Sequence, residues 1–267
     1  MCIIVVKEIG LNVPDKNILK TCFDNNPDGA GFMWNDGKNV YFRKGFMNFN
    51  EFYKNLQKEN KNHNFKDKQL VLHFRIGTGG GNVPKNTHPF VVSQDLKQLE
   101  KLNGTCQTAL MHNGIISAYS RYSRETTTSD TMDYITDFLS LIPAKTLKST
   151  KLWGELAKQC NSRFVYMWAE NLILSGSGWI KDNGLYFSNS SYKPRPKVTY
   201  TSSVYDNFTT YYKNTTDRLP VLKKRYNECE ICGNAGGKYA EDYDAYICDK
   251  CLKKELDFNY PHNNYEF

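Results

Sequence analysis

Short runs rich in β-branched and aromatic residues, bounded by Gly, Asn or Asp, recur along roughly the first 190 residues. Runs of this kind predict β-strands. They are CIIVVKE, AGFMW, KNVYFRKG, QLVLHFRIG, QTALMHNGII, RFVYMWAE, NLILSGSG and GLYFSNS. Asp36 and Gly37 lie between two of these runs, and an Asp-Gly pair in that position predicts a tight hairpin.

Helical candidates alternate with the strands. They are DKNILKTCFDN, FNEFYKNLQKEN, DLKQLEK, SDTMDYITDFLSLI and TKLWGELAKQC. In the fourth, Ser129 can cap the first turn, and the apolar residues predicted on one face are Met132, Ile135, Phe138 and Leu139. Strands outnumber helices and come mostly as hairpins, which favours an α+β layered domain with largely antiparallel sheets.

The pattern changes at residue 193. From 193 to 225 the chain has several prolines, many Ser and Thr residues and little periodicity, which predicts a linker or an extended arm. We therefore expect a catalytic-size domain at 1–192, the arm at 193–225, and a small cysteine-bearing module with a tail at 226–267.

Composition is that of a folded globular protein, with 40% hydrophobic and 24% charged residues. No run approaches the ~20 apolar residues of a membrane helix. The N-terminus also lacks the basic start and small-residue cleavage site of a secretory signal. We expect a cytoplasmic protein without a membrane partner, in which cysteines serve thiol chemistry or metal binding because the cytosol keeps disulfides reduced.

Charge is distributed unevenly near the C-terminus. The arm at 193–225 carries eight basic side chains against two acidic ones, with aromatic residues between them. A basic, aromatic segment can bind single-stranded nucleic acid. The residues after 225, however, hold nine acids against four lysines, which weighs against phosphate binding there. We favour protein docking, or an arm packed on the enzyme.

Four stretches point to chemistry when they are placed beside Cys2, the residue that follows Met1. They are NPDGAGFMW (26–34), HFRIGTGGGNVPKNTHPF (73–90), HNGII (112–116) and SDT (129–131). With these motifs in this order, residues 2–190 resemble the class II glutamine amidotransferase domain of the N-terminal nucleophile (Ntn) hydrolases. The resemblance implies a four-layer αββα sandwich.

The chemistry of an N-terminal cysteine supports this resemblance. Removal of Met1 would leave Cys2 with a thiol and a free α-amine on one residue. An α-amine has a pKa of about 7.7–8.0, against about 8.5 for a free thiol, so it can accept the thiol proton near neutral pH. A separate histidine base is then unnecessary.

The resemblance implies a role for each motif. Cys2 is the nucleophile, and the Asn113 side chain with the Gly114 backbone N–H forms the oxyanion hole. Arg75 binds the α-carboxylate of glutamine and Asp130 its α-ammonium, and Thr78 and His88 join the substrate-binding residues. The glycines that would form a closing flap are Gly77, Gly79, Gly80 and Gly81.

Plainer interpretations stay open for several of these residues. Cys2 could be a small apolar residue at the start of a buried strand. Arg75 could form a structural ion pair, and Asp130 could favour the helix start through the dipole. We interpret His73, His88 and His112 as packed, hydrogen-bonded histidines rather than bases or metal ligands, and we expect Asn26, Asp28 and Gly29 to shape a turn beneath the nucleophile.

Two Cys-x2-Cys pairs occur near the C-terminus, and their spacing is typical of a structural Cys₄ zinc site in a zinc ribbon. The expected ligands are Cys229, Cys232, Cys248 and Cys251. The alternative is a redox dithiol or two disulfides. The remaining cysteines, which lack such spacing and are expected to be inert, are Cys22, Cys106 and Cys160.

We therefore expect a stand-alone hydrolase that uses Cys2 to convert glutamine to glutamate and ammonia, with zinc as a structural metal and no cofactor for catalysis. The chain after 192 is too short for an ammonia-consuming synthase domain of about 100–200 residues. A separate partner protein would then accept the ammonia. The alternatives are an Ntn amidase or peptidase that acts on another amide, and a degenerate fold that serves as a zinc-ribbon binding module.

Overall fold

The computed structural model describes residues 2–77, 80–120, 127–194, 238–240, 245–251 and 253. The chain divides into two compact units, Met1–Lys197 and Val198–Phe267. The described part of the first unit contains two antiparallel β-sheets with helices.

The larger sheet has seven strands in the order β10-β11-β1-β4-β2-β3-β6. Their bounds are β1 Ile3–Lys7, β2 Ala30–Asn35, β3 Val40–Phe46, β4 Leu70–Phe74, β6 Asn103–Cys106, β10 Ile180–Asp182 and β11 Leu185–Phe187. The strand that follows Cys2 is central. It pairs with β4 on one side and with β11 on the other, both antiparallel.

The smaller sheet has four strands in the order β5-β7-β8-β9. Their bounds are β5 Phe90–Val91, β7 Thr108–Asn113, β8 Arg163–Trp168 and β9 Leu172–Ser175. The pairing of β7 with β8 extends to Asn113, the last residue of β7, which lies opposite Arg163, the first residue of β8.

Six α-helices lie wholly within the described residues of the first unit: α1 Lys16–Asn25, α2 Phe49–His63, α3 Leu96–Glu100, α4 Asp130–Asp137, α5 Ala144–Leu147 and α6 Thr150–Gln159. Side-chain N-caps begin five of them, as the sequence favours at such positions. The capping residues are Asp15, Asn48, Asp95, Ser129 and Ser149. Short 3-10 turns cover Phe65–Asp67, Pro84–Asn86, Leu139–Leu141 and Ser190–Tyr192.

Alternation along β1 shows the layering. Ile3 and Val5 point into a core shared with α1 and α2, whereas Ile4 and Val6 point into a core shared with the smaller sheet. The other face of the smaller sheet packs on α4 and α6. The unit therefore has four layers in the order helix, sheet, sheet, helix, and the predicted α+β class with antiparallel sheets is confirmed.

The predicted hairpin at Asp36-Gly37 is confirmed. It joins β2 and β3, and Gly37 has a positive φ of 89°. The Asp36 carboxylate accepts hydrogen bonds from the backbone N–H groups of Lys38 and Asn39, so the side chain stabilises the turn.

The fourth predicted helix is shorter than expected. Helix α4 ends at Asp137, and Phe138, with φ −131°, leads into a 3-10 turn. This break changes the direction of the next side chains. Leu139 is buried and Phe138 is 38% exposed, so these two residues do not continue the predicted helix face.

In the second unit, the described strands are β12 Lys238–Ala240 and β13 Ala245–Ile247, which pair antiparallel. Cys248 follows β13 directly, and Cys251 lies three residues further along the chain. Cys229 and Cys232 lie outside the described residues, as does most of the predicted arm.

Among the helices of the described ranges, none combines the length and apolar composition needed to cross a lipid bilayer.

Candidate active site

Cys2 lies at the entry to the central strand β1. Its Sγ is 3.3 Å from the backbone N of Ile76, which donates to it, and Asn189 Nδ2 donates to the Cys2 carbonyl at 2.6 Å. Burial raises the pKa of the thiol, and the Ile76 N–H group and the charge of Arg75 oppose that rise. The carboxylate of Asp130 also acts on the thiol and raises its pKa. The fold thus brings Cys2, Arg75 and Asp130 into one electrostatic neighbourhood.

Arg75 follows β4 and is 4% exposed. Its Nη1 donates to Asn82 Oδ1 at 2.9 Å, and Asn82 Nδ2 donates to Asp28 Oδ1 at 2.9 Å. The second oxygen of Asp28 accepts from the backbone N of Gly77 at 2.8 Å. One carboxylate therefore holds both ends of the glycine-rich segment 77–82 and, through Asn82, orients the guanidinium.

Asn113 and Gly114 lie at the end of β7. Asn113 Nδ2 is 2.8 Å from Ser188 Oγ, which is also 2.8 Å from the backbone N of Ile4. Gly114 has no room for a side chain, because an added Cβ would stand 2.0 Å from Ser162 Oγ. These contacts connect the candidate oxyanion hole to the strand that carries Cys2.

Asp130 is the first residue of α4, and Ser129 caps the helix by accepting from the backbone N of Met132 at 3.3 Å. Asp130 Oδ2 accepts from the backbone N of Ile116 at 2.8 Å, and Oδ1 accepts from the backbone N and Oγ1 of Thr131. A carboxylate offers about four lone-pair positions. The three bonds leave one position on Oδ2, so Asp130 can both order the loop after Gly114 and accept one ligand proton.

Three buried histidines lie behind the site. His73 Nε2 is 3.0 Å from the carbonyl oxygen of His112, and this contact requires Nε2 to carry the proton. His112 Nδ1 is 2.8 Å from Thr131 Oγ1. Burial lowers the pKa of His73 to about 3 and that of His112 to about 4, so both rings are neutral at pH 7. They pack as predicted.

The structure places His88 in the interior of the unit. Its ring stacks on that of His73, with centroids 4.2 Å apart, and it contacts Phe90. Neither ring nitrogen has a hydrogen-bond partner among the described residues. The prediction that His88 is a hydrogen-bonded histidine is therefore wrong, although the residue is packed as expected. Burial lowers its pKa well below the usual value. Thr78 and Gly79, the other predicted residues of this region, lie outside the described residues.

Sequence reasoning missed three residues of this neighbourhood. Asp28 was expected only to shape a turn, and Asn82 and Ser188 were not singled out. A signal existed for Asp28, since it lies within the motif NPDGAGFMW. Ser188 offered none, because a serine after a short strand is common and its contacts span 184 residues of sequence to Ile4.

The isolated cysteines, like Cys2, have thiols whose pKa is raised by burial. Cys22 is fully buried, and burial raises the pKa of both Cys22 and Cys106 to about 12. Burial also raises the pKa of Cys160. None of these thiols ionises readily at neutral pH.

Comparison with known proteins gives similarity at the level of structure alone. No family model and no curated protein matches the chain. Among solved structures, it is similar to glutamine phosphoribosylpyrophosphate amidotransferase from B. subtilis complexed with ADP and GMP, with 17% identity, a TM-score of 0.44, and 70% of this chain and 41% of that chain covered. A structure described as the allosteric regulatory enzyme of purine biosynthesis gives 17% identity, a TM-score of 0.43 and the same coverages, 70% and 41%. The chain thus spans less than half the length of these proteins.

Proposed function

We propose that the first unit is an amidohydrolase of the class II glutamine amidotransferase type, which hydrolyses the side-chain amide of glutamine with Cys2 as nucleophile. The observation that carries the proposal is the hydrogen bond from the backbone N of Ile76, the residue after Arg75, to Cys2 Sγ at 3.3 Å; the charges of Arg75 and Asp130 both act on the pKa of this thiol. These residues come from three distant parts of the chain. In the proposed site Cys2 is the nucleophile, Arg75 is the partner of the α-carboxylate and Asp130 is the partner of the α-ammonium group.

The reaction proceeds in two steps. After Met1 is removed, the α-amine of Cys2 accepts the thiol proton as sulfur attacks the amide carbon of glutamine. The tetrahedral oxyanion receives hydrogen bonds from Asn113 and the Gly114 N–H, and its collapse breaks the carbon–nitrogen bond. The α-amine returns the proton to the leaving ammonia, and water then hydrolyses the thioester to glutamate and regenerates Cys2.

The environment of the thiol fits this route. Because burial raises its pKa, little of the Cys2 thiol is ionised near neutral pH. A base on the same residue can remove the proton as attack occurs. The guanidinium of Arg75 is planar and bidentate, which suits the α-carboxylate of the substrate. The ammonia passes to a separate partner protein or is released.

The test combines processing with activity. We expect protein whose intact mass shows loss of Met1 to release ammonia from glutamine, and we expect Cys2→Ala to release none. Cys106→Ala is the matched control, because its thiol has a pKa of about 12 and lies outside the site, and it should keep activity. Ammonia release at the wild-type rate by Cys2→Ala would refute the proposal.

We also propose that the second unit holds a structural zinc ion through Cys229, Cys232, Cys248 and Cys251. Two of these ligands are described. The backbone N of Cys251 donates to the Cys248 carbonyl at 2.9 Å, a tight turn that suits two thiolates on one metal. We expect elemental analysis to find about one zinc per chain, and Cys248→Ser to lower it. A metal-free native protein would contradict the proposal.

A further inference from the structure

The Ser188 side chain lies at the junction of β1 and the end of β7, and it is fully buried. Its Oγ is 2.8 Å from the backbone N of Ile4 and 2.8 Å from Asn113 Nδ2. The backbone N of Ser188 donates to the Ile4 carbonyl at 3.0 Å. One hydroxyl therefore connects the nucleophile's strand to the amide of the candidate oxyanion hole.

The hydrogen bonds around this hydroxyl decide how the Asn113 amide is oriented. With Nδ2 facing Ser188, both neighbours donate to Oγ, and Asn113 Oδ1 is buried with no partner in the described ranges. Amide nitrogen and oxygen have nearly the same shape, so their assignment follows from hydrogen bonding. Rotation of the amide by half a turn places Oδ1 against Ser188, whose hydroxyl then donates to Oδ1 and still accepts from Ile4 N.

The rotated orientation satisfies more groups than the first one. It gives a partner to the buried amide oxygen and to the hydroxyl proton, and a buried polar atom without a partner is costly. The Asn113 NH₂ group then takes the buried position of Oδ1, where its protons have no partner in the described ranges and an oxyanion would supply one. A donor in that position can stabilise an oxyanion, whereas a carbonyl oxygen there would repel it.

We propose that Ser188 is a positioning residue that fixes the Asn113 amide with its NH₂ group toward the developing oxyanion, an inference that rests on the proposed amide hydrolysis. Ser188 does not contact substrate. It acts through Asn113, and its contribution belongs to the transition state rather than to substrate binding.

The first test compares two reactions of Cys2. Hydrolysis of glutamine forms an oxyanion, whereas alkylation by iodoacetamide displaces iodide at a saturated carbon and forms none. For Ser188→Ala we expect kcat for glutamine to fall about 10- to 100-fold, somewhat less than the ~10²–10³ typical for loss of a whole oxyanion donor. We expect KM and the alkylation rate at Cys2 to stay within about twofold of wild type. An unchanged kcat, or an equal loss in both reactions, would overturn the proposal, since a displaced β1 would slow both.

The second test is a double-mutant cycle with Asn113→Ala. If Ser188 acts through Asn113, Ser188→Ala should cause no further loss of kcat in the Asn113→Ala background. A full additional loss would assign Ser188 an independent role and overturn the proposal. Ser175→Ala is the matched control, because Ser175 is also buried and its Oγ has no partner among the described residues, so kcat should be unchanged.

The two proposals fail in distinguishable ways. A wild-type protein that alkylates at Cys2 but releases no ammonia from glutamine would overturn the proposed function and, with it, the role of Ser188. An active wild type whose Ser188→Ala variant keeps its kcat and its melting temperature would overturn the role of Ser188 alone.

Discussion

At the residue scale, the candidate site depends on side chains that orient other side chains through hydrogen bonds. Arg75 is the predicted carboxylate partner, but its orientation comes from Asn82, which Asp28 holds in turn. The sequence predicts a role for Arg75 because this residue lies in the motif HFRIGTGGGNVPKNTHPF. It does not mark Asn82, because a hydrogen bond between residues on either side of a glycine-rich loop has no periodic signature.

Asp28 gives a prediction at this scale. The two carboxylate oxygens of Asp28 accept hydrogen bonds from the Gly77 N–H group and from Asn82. Asp28→Asn replaces one of these oxygens with an NH₂ donor, so one of the two bonds is lost. A hydrogen bond to a charged group contributes about 1.5–3 kcal/mol, and we expect KM for glutamine to rise about 10- to 100-fold. Steady-state ammonia release measures the change.

Asp24→Asn is the control for this substitution, because Asp24 is exposed and pairs only with Lys20 on the surface of α1 in the described structure. It should leave KM unchanged. The argument for Asp28 would be wrong if the two variants behaved alike.

At the element scale, strands and helices with strong patterns are predictable, whereas the edge strands β5, β6 and β10 are not. The central strands β1, β2, β4, β7 and β8 coincide with apolar runs, because each is buried on both faces. Strand β6, with sequence NGTC, has no such pattern, and its pairing with β3 defines it. Gly31 in β2 is explained only by tertiary contact, since an added Cβ would stand 2.1 Å from the His88 carbonyl oxygen.

Helix α4 shows both outcomes within one element. Its start follows from Ser129 as N-cap, which places Asp130 in the first turn. Its end does not follow from periodicity, because the apolar pattern continues through Leu139 while the backbone has already changed at Phe138. Capping is a local interaction, whereas this helix end depends on packing.

At the scale of the whole molecule, the interior contains ionisable groups that burial keeps neutral. His73, His88 and His112 stack or bond to one another, and their pKa values lie below the usual 6.5. Each unit of difference between the folded and unfolded pKa corresponds to about 1.4 kcal/mol. The cluster therefore couples stability to pH.

The sign of this coupling gives a prediction. Below pH 6.5 the unfolded chain takes up protons at these histidines, whereas the folded chain does so only near pH 3 to 4 at His73 and His112. The contribution of these neutral histidines to the free energy of unfolding should be fully present above pH 6.5. It should decrease as the pH falls from 6.5 toward 4. Urea denaturation at a series of pH values measures it.

His88→Leu isolates this contribution, because its ring nitrogens have no partners among the described residues and so no hydrogen bond is lost. The decrease between pH 6.5 and 4 should be shallower in this variant than in wild type. Identical slopes would show that His88 does not contribute to the pH dependence of stability.

The sequence by itself predicted the main central strands, the longer helices, the α+β class and the hairpin at Asp36-Gly37. These properties depend on local periodicity, turn geometry and residue type. The tertiary structure decided which residues orient the proposed site: Asp28 and Asn82 around Arg75, and Ser188 between Ile4 and Asn113. Such contacts join positions far apart in the chain, and they exist only once two sheets and their loops have packed together.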